Sequence, residues 1–400
     1  MSLKRGLNLP LLLFYGVGNI LGAGIYVLVG EVASVAGYLA PLSFVISAVI
    51  AGLTGLTYIE LASRFPVSAG EAVYVDEAFH IRRLSIVVGL LVCASGIISA
   101  AALAKGFVGY MQLFTGFPGE LIVVLMLGVL CLVAIVGITE SVSIAAFFTI
   151  LEIAGLLLIL WVCRDALLSI PEKAPVFAVS MEVYAWSGVM AGAFLSFFAF
   201  IGFEDMVNVV EEVKNPQKTL PKAIILSLII CSSLYFFIAL AAVLQVAPDL
   251  LAKDGAPLAT VYQAATGNEP VFIGILGLFA IVNGILIQII MVSRIFYGMA
   301  EKNWLPGFLG KVNTRFQTPG NATLLAVIII VILALTLPLI SLASLTSMVV
   351  LSIFALVNFS LLFLKARNPD PGNINKVPWF IPVLGLMTSL ILITMSLYLF

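Results

Sequence analysis

Apolar runs of about 20 residues, the length that a bilayer's hydrocarbon core demands of a helix, recur along almost the whole chain and are separated by short polar punctuation. They fall at about 9–35, 40–62, 84–113, 120–138, 142–163, 184–210, 222–246, 271–299, 322–340, 343–364 and 378–400. This pattern predicts an all-α polytopic membrane protein with about 11 transmembrane helices. Two runs are interrupted. The first carries GVGNILGAGIYVLVG over residues 16–30, five glycines in fifteen residues, and glycine costs a helix interior about 1 kcal/mol relative to alanine. The cluster Gly22, Ala23, Gly24 near mid-span predicts unwound backbone, and bare amides and carbonyls at that depth survive only where they are buried in protein or line a cavity. The sixth run, 185–216, is broken at Gly202, followed at once by Glu204 and Asp205. Two carboxylates facing lipid are expensive, so this half-helix must face protein or water.

The two interruptions lie five runs apart. Five is odd, so the two halves enter the membrane from opposite sides, the mark of an inverted repeat. Runs one to five (about 9–163) are expected to mirror runs six to ten (about 184–364), with an extra helix at about 378–400, all within a single membrane domain over 1–400. The basic residues orient it. Threaded alternately, the loops on the N-terminal side hold fifteen of the nineteen lysines and arginines, against Arg164, Lys173 and Lys253 on the other, with Lys105 inside the membrane. Positive charge gathers on the cytoplasmic side, so the N-terminus is expected in the cytoplasm of a cell (plasma) membrane.

Composition narrows the function classes. The chain is 62% hydrophobic and only 10% charged, with a mean hydropathy of +1.21, whereas soluble domains carry about a quarter charged residues. A net charge of −1 without a basic stripe excludes nucleic acid as a partner. The four cysteines sit in or beside apolar runs without metal-ligand spacing and read as small buried hydrophobes. The single His80 lies in a charged loop, which leaves no histidine-based metal or triad chemistry, and no cofactor is expected. Lys4 and Arg5 precede an apolar run too long for a signal peptide, so that run stays as a span.

Four stretches together carry a family resemblance. GVGNILGAGIYVLVG, LTYIELASRFPVSAGEAVYVDEAF (56–79), FFAFIGFEDMVNVVEEVKNPQKTLPKAI (197–224) and VSRIFYGMAEKNWLP (292–306) resemble, in that order, the amino acid/polyamine/organocation (APC) superfamily of transporters. The cationic amino acid transporter branch and bacterial amino acid permeases are the most similar in flavour. The resemblance implies the LeuT-like five-plus-five inverted repeat of the bacterial leucine transporter, alternating access, and no enzymatic step. Family members usually have twelve spans against about eleven here, a difference that lies outside the ten-helix core.

The residues themselves suit such work. Unwinding leaves amides around Gly22, Ala23 and Gly24 at the start of a half-helix, whose positive end suits a carboxylate. Carbonyls around Phe200, Ile201 and Gly202 can accept hydrogen bonds from an ammonium group. Together they make a zwitterion site built from Ile20, Leu21, Gly22, Ala23, Gly24 and Ile25 on one break, and Phe198, Phe200, Ile201, Gly202, Phe203 and Glu204 on the other. Glycines serving only close helix packing do not account for two breaks at repeat-equivalent positions. Resemblance assigns Phe203 to the aromatic that gates the site from outside; as a residue alone it could equally be packing. Tyr26 is a further candidate wall.

Three buried charges stay open at this level. Glu204 either faces the cavity and favours an amino-bearing substrate, or joins Asp205 as a partner of helix ends and backbone amides. Lys105 either pairs with Glu204 or snorkels toward the outer surface. Glu152, a lone carboxylate in an otherwise apolar fifth span, is strongly disfavoured when ionised. It is a protonatable coupling switch, a ligand of a cation held against spans one and eight, or a hydrogen-bonded neutral acid. Similar proton-coupled or sodium-independent relatives place a lysine there, so this glutamate departs from the pattern. The expected function is secondary active transport of amino acids or related amines with protons as the coupling ion. The alternative is a solute sensor or complex subunit of the same fold.

Overall fold

A computed structural model describes the chain except for residues 1–5, 22–23, 68–69, 137–141, 174–176, 178–182, 254, 314–315, 317, 370–371, 373 and 400. Helices form on the apolar runs. α1 (Leu9–Leu21) and α2 (Gly24–Ala36) share the first; α3 (Ala40–Arg64) takes the second, and a short α4 (Gly70–Phe79) follows. Then come α5 (Arg82–Met111), α6 (Gly119–Val136) and α7 (Val142–Val162), the short α8 (Arg164–Leu168) and α9 (Ile170–Lys173), and α10 (Val183–Ser196) on the sixth run. The remainder is α11 (Pro216–Gln245), the short α12 (Pro248–Leu251) and α13 (Pro257–Thr266), α14 (Val271–Glu301), α15 (Gly320–Thr336), α16 (Leu339–Arg367) and α17 (Phe380–Leu399). Among the described residues eight stretches are long and apolar enough to cross a membrane, one of which, Leu9–Arg64, holds two runs. The apolar helices on the fifth and ninth runs, Phe147–Val162 and Gly320–Thr336, are shorter.

The sixth run departs furthest from a regular helix. After α10 the chain tightens into a 3-10 turn, Phe197–Phe200, extends at Ile201 (φ −65°, ψ 136°), and resumes as a second 3-10 segment, Glu204–Glu212. Nine residues of 3-10 helix exceed the three or four usually tolerated, and such stretches mark hinges or strain.

Contacts between chain segments agree with the alternating threading. Leu7 N–H donates to Glu212 O (3.0 Å) and Lys214 N–H to Leu7 O (2.8 Å), which joins the entry to the first run with the exit of the sixth. Lys173 Nζ donates to Leu244 O (3.1 Å), joining the exits of the fifth and seventh. A buried Glu60–Lys365 pair (2.6 Å) joins the exits of the second and tenth. Each contact links ends that the threading puts on one face.

That last pair belongs to a polar seam between α3, α16 and α17. Glu60, fully buried, accepts from Arg64 Nη2 (2.7 Å), Lys365 Nζ and Val377 N–H (2.7 Å). Removing one partner from a buried pair costs about 3–5 kcal/mol, and here the carboxylate is shared three ways. One turn further in, Thr57 Oγ1 donates to Asn358 Oδ1 (2.7 Å) and Asn358 Nδ2 donates to Thr54 Oγ1 (3.1 Å).

The seventh helix begins at Pro216 rather than 222. Asn215 adopts a left-handed conformation (φ 51°) and Pro216 takes the first turn, where proline's missing N–H is harmless. Pro221 lies inside α11. Its missing N–H leaves the Gln217 carbonyl without a helical donor, and Asn375 Nδ2 supplies one at 2.6 Å. Likewise α15 ends and α16 begins about Leu337 and Pro338 rather than at 340–343, because the proline stops one helix and opens the next.

Candidate substrate site

The first run meets the sixth where the sixth is broken. A Cβ on Gly24 would lie 2.8 Å from Ala199 Cα, so the start of α2 rests directly on the backbone of the 3-10 turn. Gly202 has φ +124°, and a Cβ there would lie 2.6 Å from the Asn19 carbonyl oxygen. Both the dihedral and the space demand glycine. Tyr235, fully buried on α11, ties the first and sixth runs together: its hydroxyl lies 2.5 Å from Ile20 O and 2.9 Å from Ala199 O, with one proton to donate between them. The Tyr235 ring packs edge-on against Phe200, centroids 5.1 Å apart.

Leu21, Ile25 and Phe198 are buried beside this junction, and Gly22 and Ala23 lie outside the described residues. Among the described residues the carbonyls of Phe200 and Ile201 take no hydrogen bond, whereas the Gly202 carbonyl accepts the Asp205 N–H at 3.3 Å. Phe203 is fully buried in an aromatic cluster with Tyr58 of α3 (5.8 Å) and Phe354 of α16 (5.3 Å). Tyr26 directs its hydroxyl to the backbone carbonyl of Glu152 (3.0 Å), and its own carbonyl accepts the Tyr110 hydroxyl (2.9 Å).

Glu204 lies between the broken backbone and a small space. Its Oε2 accepts the Gly202 N–H at 2.9 Å, and the side chain also lines a small space with Asp205, Asn208, Glu71, Ser95 and Gln288. The space is about 30 Å³, a tenth or less of an ordinary ligand pocket. No ion pair joins Lys105 to Glu204 among the described residues, and Lys105 is half-buried on α5. Glu71, at the start of α4, accepts the Tyr58 hydroxyl at 2.9 Å. Burial pushes its carboxyl above the usual carboxylate range, against the opposing pull of its own amide and of Tyr58.

Glu152 sits on α7 with 2% of its surface exposed, and neither carboxyl oxygen has a hydrogen-bond partner. Asn283 of α14 lies beside it, short of hydrogen-bond geometry. One turn earlier on α7, Thr149 Oγ1 donates to Phe14 O (3.2 Å) of α1.

The broken sixth run, packed on Gly24 and tied to the first run by Tyr235, lies beside a small space bordered by carboxylates. The family model described as amino acid permease matches residues 7–400. The chain belongs to the amino acid permease family. Among similar relatives is the branched-chain amino acid permease BcaP of Bacillus subtilis, 30% identical over 98% of this chain and 88% of that protein. A vacuolar cationic amino acid transporter 2 of Arabidopsis thaliana is 29% identical over 92% of this chain, which spans 61% of the plant protein. The methylthioribose transporter of B. subtilis is 27% identical over 97% and 87%.

Among solved structures, a Na+-coupled sialic acid symporter in a substrate-bound outward-open state aligns with a TM-score of 0.66 at 14% identity, covering 99% of this chain and 90% of that one. At that identity the likeness is one of fold. This permease therefore has the LeuT-like inverted-repeat fold and is a multi-pass membrane transporter rather than an enzyme. The sequence had not singled out Tyr235 or Glu71. A lone tyrosine in an apolar run signals a buried hydroxyl in need of an acceptor, but gives no hint of which carbonyls it reaches.

Proposed function

We propose that this permease carries amino acids or related amines across the cell membrane by alternating access, with the zwitterion held at the junction of the two breaks. The observation that carries this reading is the mutual contact of Gly24 with Ala199 and of Gly202 with Asn19, bridged by Tyr235. The carboxylate of the substrate faces the half-helix that starts at α2. Its ammonium group faces the carbonyls of Phe200 and Ile201. Relatives named for branched-chain and cationic amino acids support the class. Glu204, Asp205 and Glu71 around the adjoining space favour a side chain that carries an amino or guanidino group.

The test is uptake of labelled amino acids into liposomes that contain the purified protein, with unlabelled lysine, arginine, leucine and valine as competitors. Lysine or arginine is expected to compete best. Ligand binding without any movement of solute would turn the reading into that of a sensor.

Sidedness follows from charge: Lys218 and Lys311 face the cytoplasm and Lys253 faces outward. All three are exposed, and all four native cysteines are buried and free, so single cysteines introduced at these positions report cleanly. An impermeant thiol reagent applied to intact cells is expected to label position 253 and spare 218 and 311. The opposite pattern overturns the orientation.

A further inference from the structure

We propose that Arg82 and Lys302, held together over the indole of Trp304, bind the phosphate of an anionic phospholipid headgroup. The site is independent of the substrate junction. α14 ends at Glu301, and its last turn is closed by Asn303 in the left-handed region (φ 57°) and by Trp304 N–H donating to Met299 O at 2.9 Å. This closure fixes the indole where α14 leaves the apolar zone, a depth that suits tryptophan's amphipathic ring. Lys302 Nζ lies 5.1 Å and the Arg82 guanidinium 5.7 Å from the ring centroid, so the indole brings together a cation at the start of α5 and one at the end of α14.

Their charge is unspent. Neither Arg82, Arg83 nor Lys302 forms an ion pair among the described residues, and all three are exposed. The nearby acids do not neutralise them: Asp76 accepts the Ser85 hydroxyl at 3.1 Å, and Glu77 and Glu301 point no carboxylate within ion-pair reach. A backbone donor set is also open. The N-terminus of α5 has no side-chain cap, because Ile81 stands at that position, and uncapped N–H groups there attract anions. Two cations and a free helix start at the edge of the hydrocarbon zone match a phosphate that a membrane lipid presents at that depth. One bound lipid would then clamp α5 to α14.

The test is native mass spectrometry of the full-length protein titrated with phosphatidylglycerol, phosphatidylcholine or inorganic phosphate. Phosphatidylglycerol is expected to be retained in preference to phosphatidylcholine, and Arg82→Gln with Lys302→Gln to weaken it about thirtyfold, the loss expected for two basic residues at an anionic surface. Lys218→Gln with Lys222→Gln removes the same charge from the exposed start of α11 and is expected to change nothing. Equal losses in both double variants, or equal retention of the two lipids, would overturn the proposal. Displacement of phosphatidylglycerol by inorganic phosphate at comparable concentration would assign the site to a free anion and overturn the lipid as its occupant.

Discussion

Gly202→Ala and Gly24→Ala each lower amino acid uptake on the order of tenfold or more, and the valine variants abolish it, while the protein still inserts and folds. At Gly202 two penalties combine. A side chain at φ +124° is strained, and its Cβ would press within 2.6 Å of the Asn19 carbonyl; strain of this kind costs about 1–3 kcal/mol. At Gly24 the obstacle is backbone, Ala199 Cα at 2.8 Å, which cannot rotate aside as a side-chain tip would. Overpacking costs about 1–3 kcal/mol, enough to push the breaks apart and misplace the amides and carbonyls but small against the stability of so large a helical bundle. Gly52→Ala on α3, with nothing within 4 Å of the added Cβ, serves as the matched control and retains uptake. Measured binding and uptake at wild-type levels in both junction variants would place the substrate elsewhere.

The break in the sixth run was legible in the sequence because its cause is local. Backbone at a positive φ needs glycine, and glycine is costly in a helix, so Gly202 announces itself, whereas the expected break at Gly22 and Ala23 lies outside the described residues. The partners of the broken sixth run are a product of tertiary packing. Nothing in the run around Tyr235 says that its hydroxyl reaches Ile20 and Ala199, carbonyls more than thirty positions away along the chain or in another repeat. α4 was missed for a different reason: its ten residues hold Glu71, Asp76 and Glu77, so polarity reads as loop, and only docking against α5 and α16 makes it a helix. α11 begins six residues before the apolar run suggests and carries Pro221 in its interior, because Asn375 supplies the donor that the ring removes. Glu204 accepts a backbone N–H two residues back and lines the space beside it, contacts set by the break at Gly202 that the residue types alone do not specify. Lys105 could not be placed from sequence; its partner was a guess about distance.

The last expectation concerns coupling. Glu152→Gln is expected to preserve folding and substrate binding and to make uptake insensitive to an imposed pH gradient. Glu152 is almost fully buried on α7, against α1 through the Thr149–Phe14 contact and beside Asn283 of α14, with both carboxyl oxygens unpartnered. An ionised carboxylate without a partner in such surroundings is expensive enough that it gives up its charge or recruits a cation. We read it as a group that takes a proton when its surroundings are closed and releases it when water reaches the site, which couples proton passage to movement of the helices around it. Glutamine copies the shape and the neutral state but cannot release the proton, so binding survives and the drive is lost. The measurement is uptake into liposomes under an inward proton gradient or an inward sodium gradient, wild type against variant. Wild-type uptake that rises several-fold with the proton gradient and becomes flat in the variant supports the role. Uptake driven by sodium alone would instead make the carboxylate a cation ligand, and an unchanged pH response in the variant would reduce it to a structural acid.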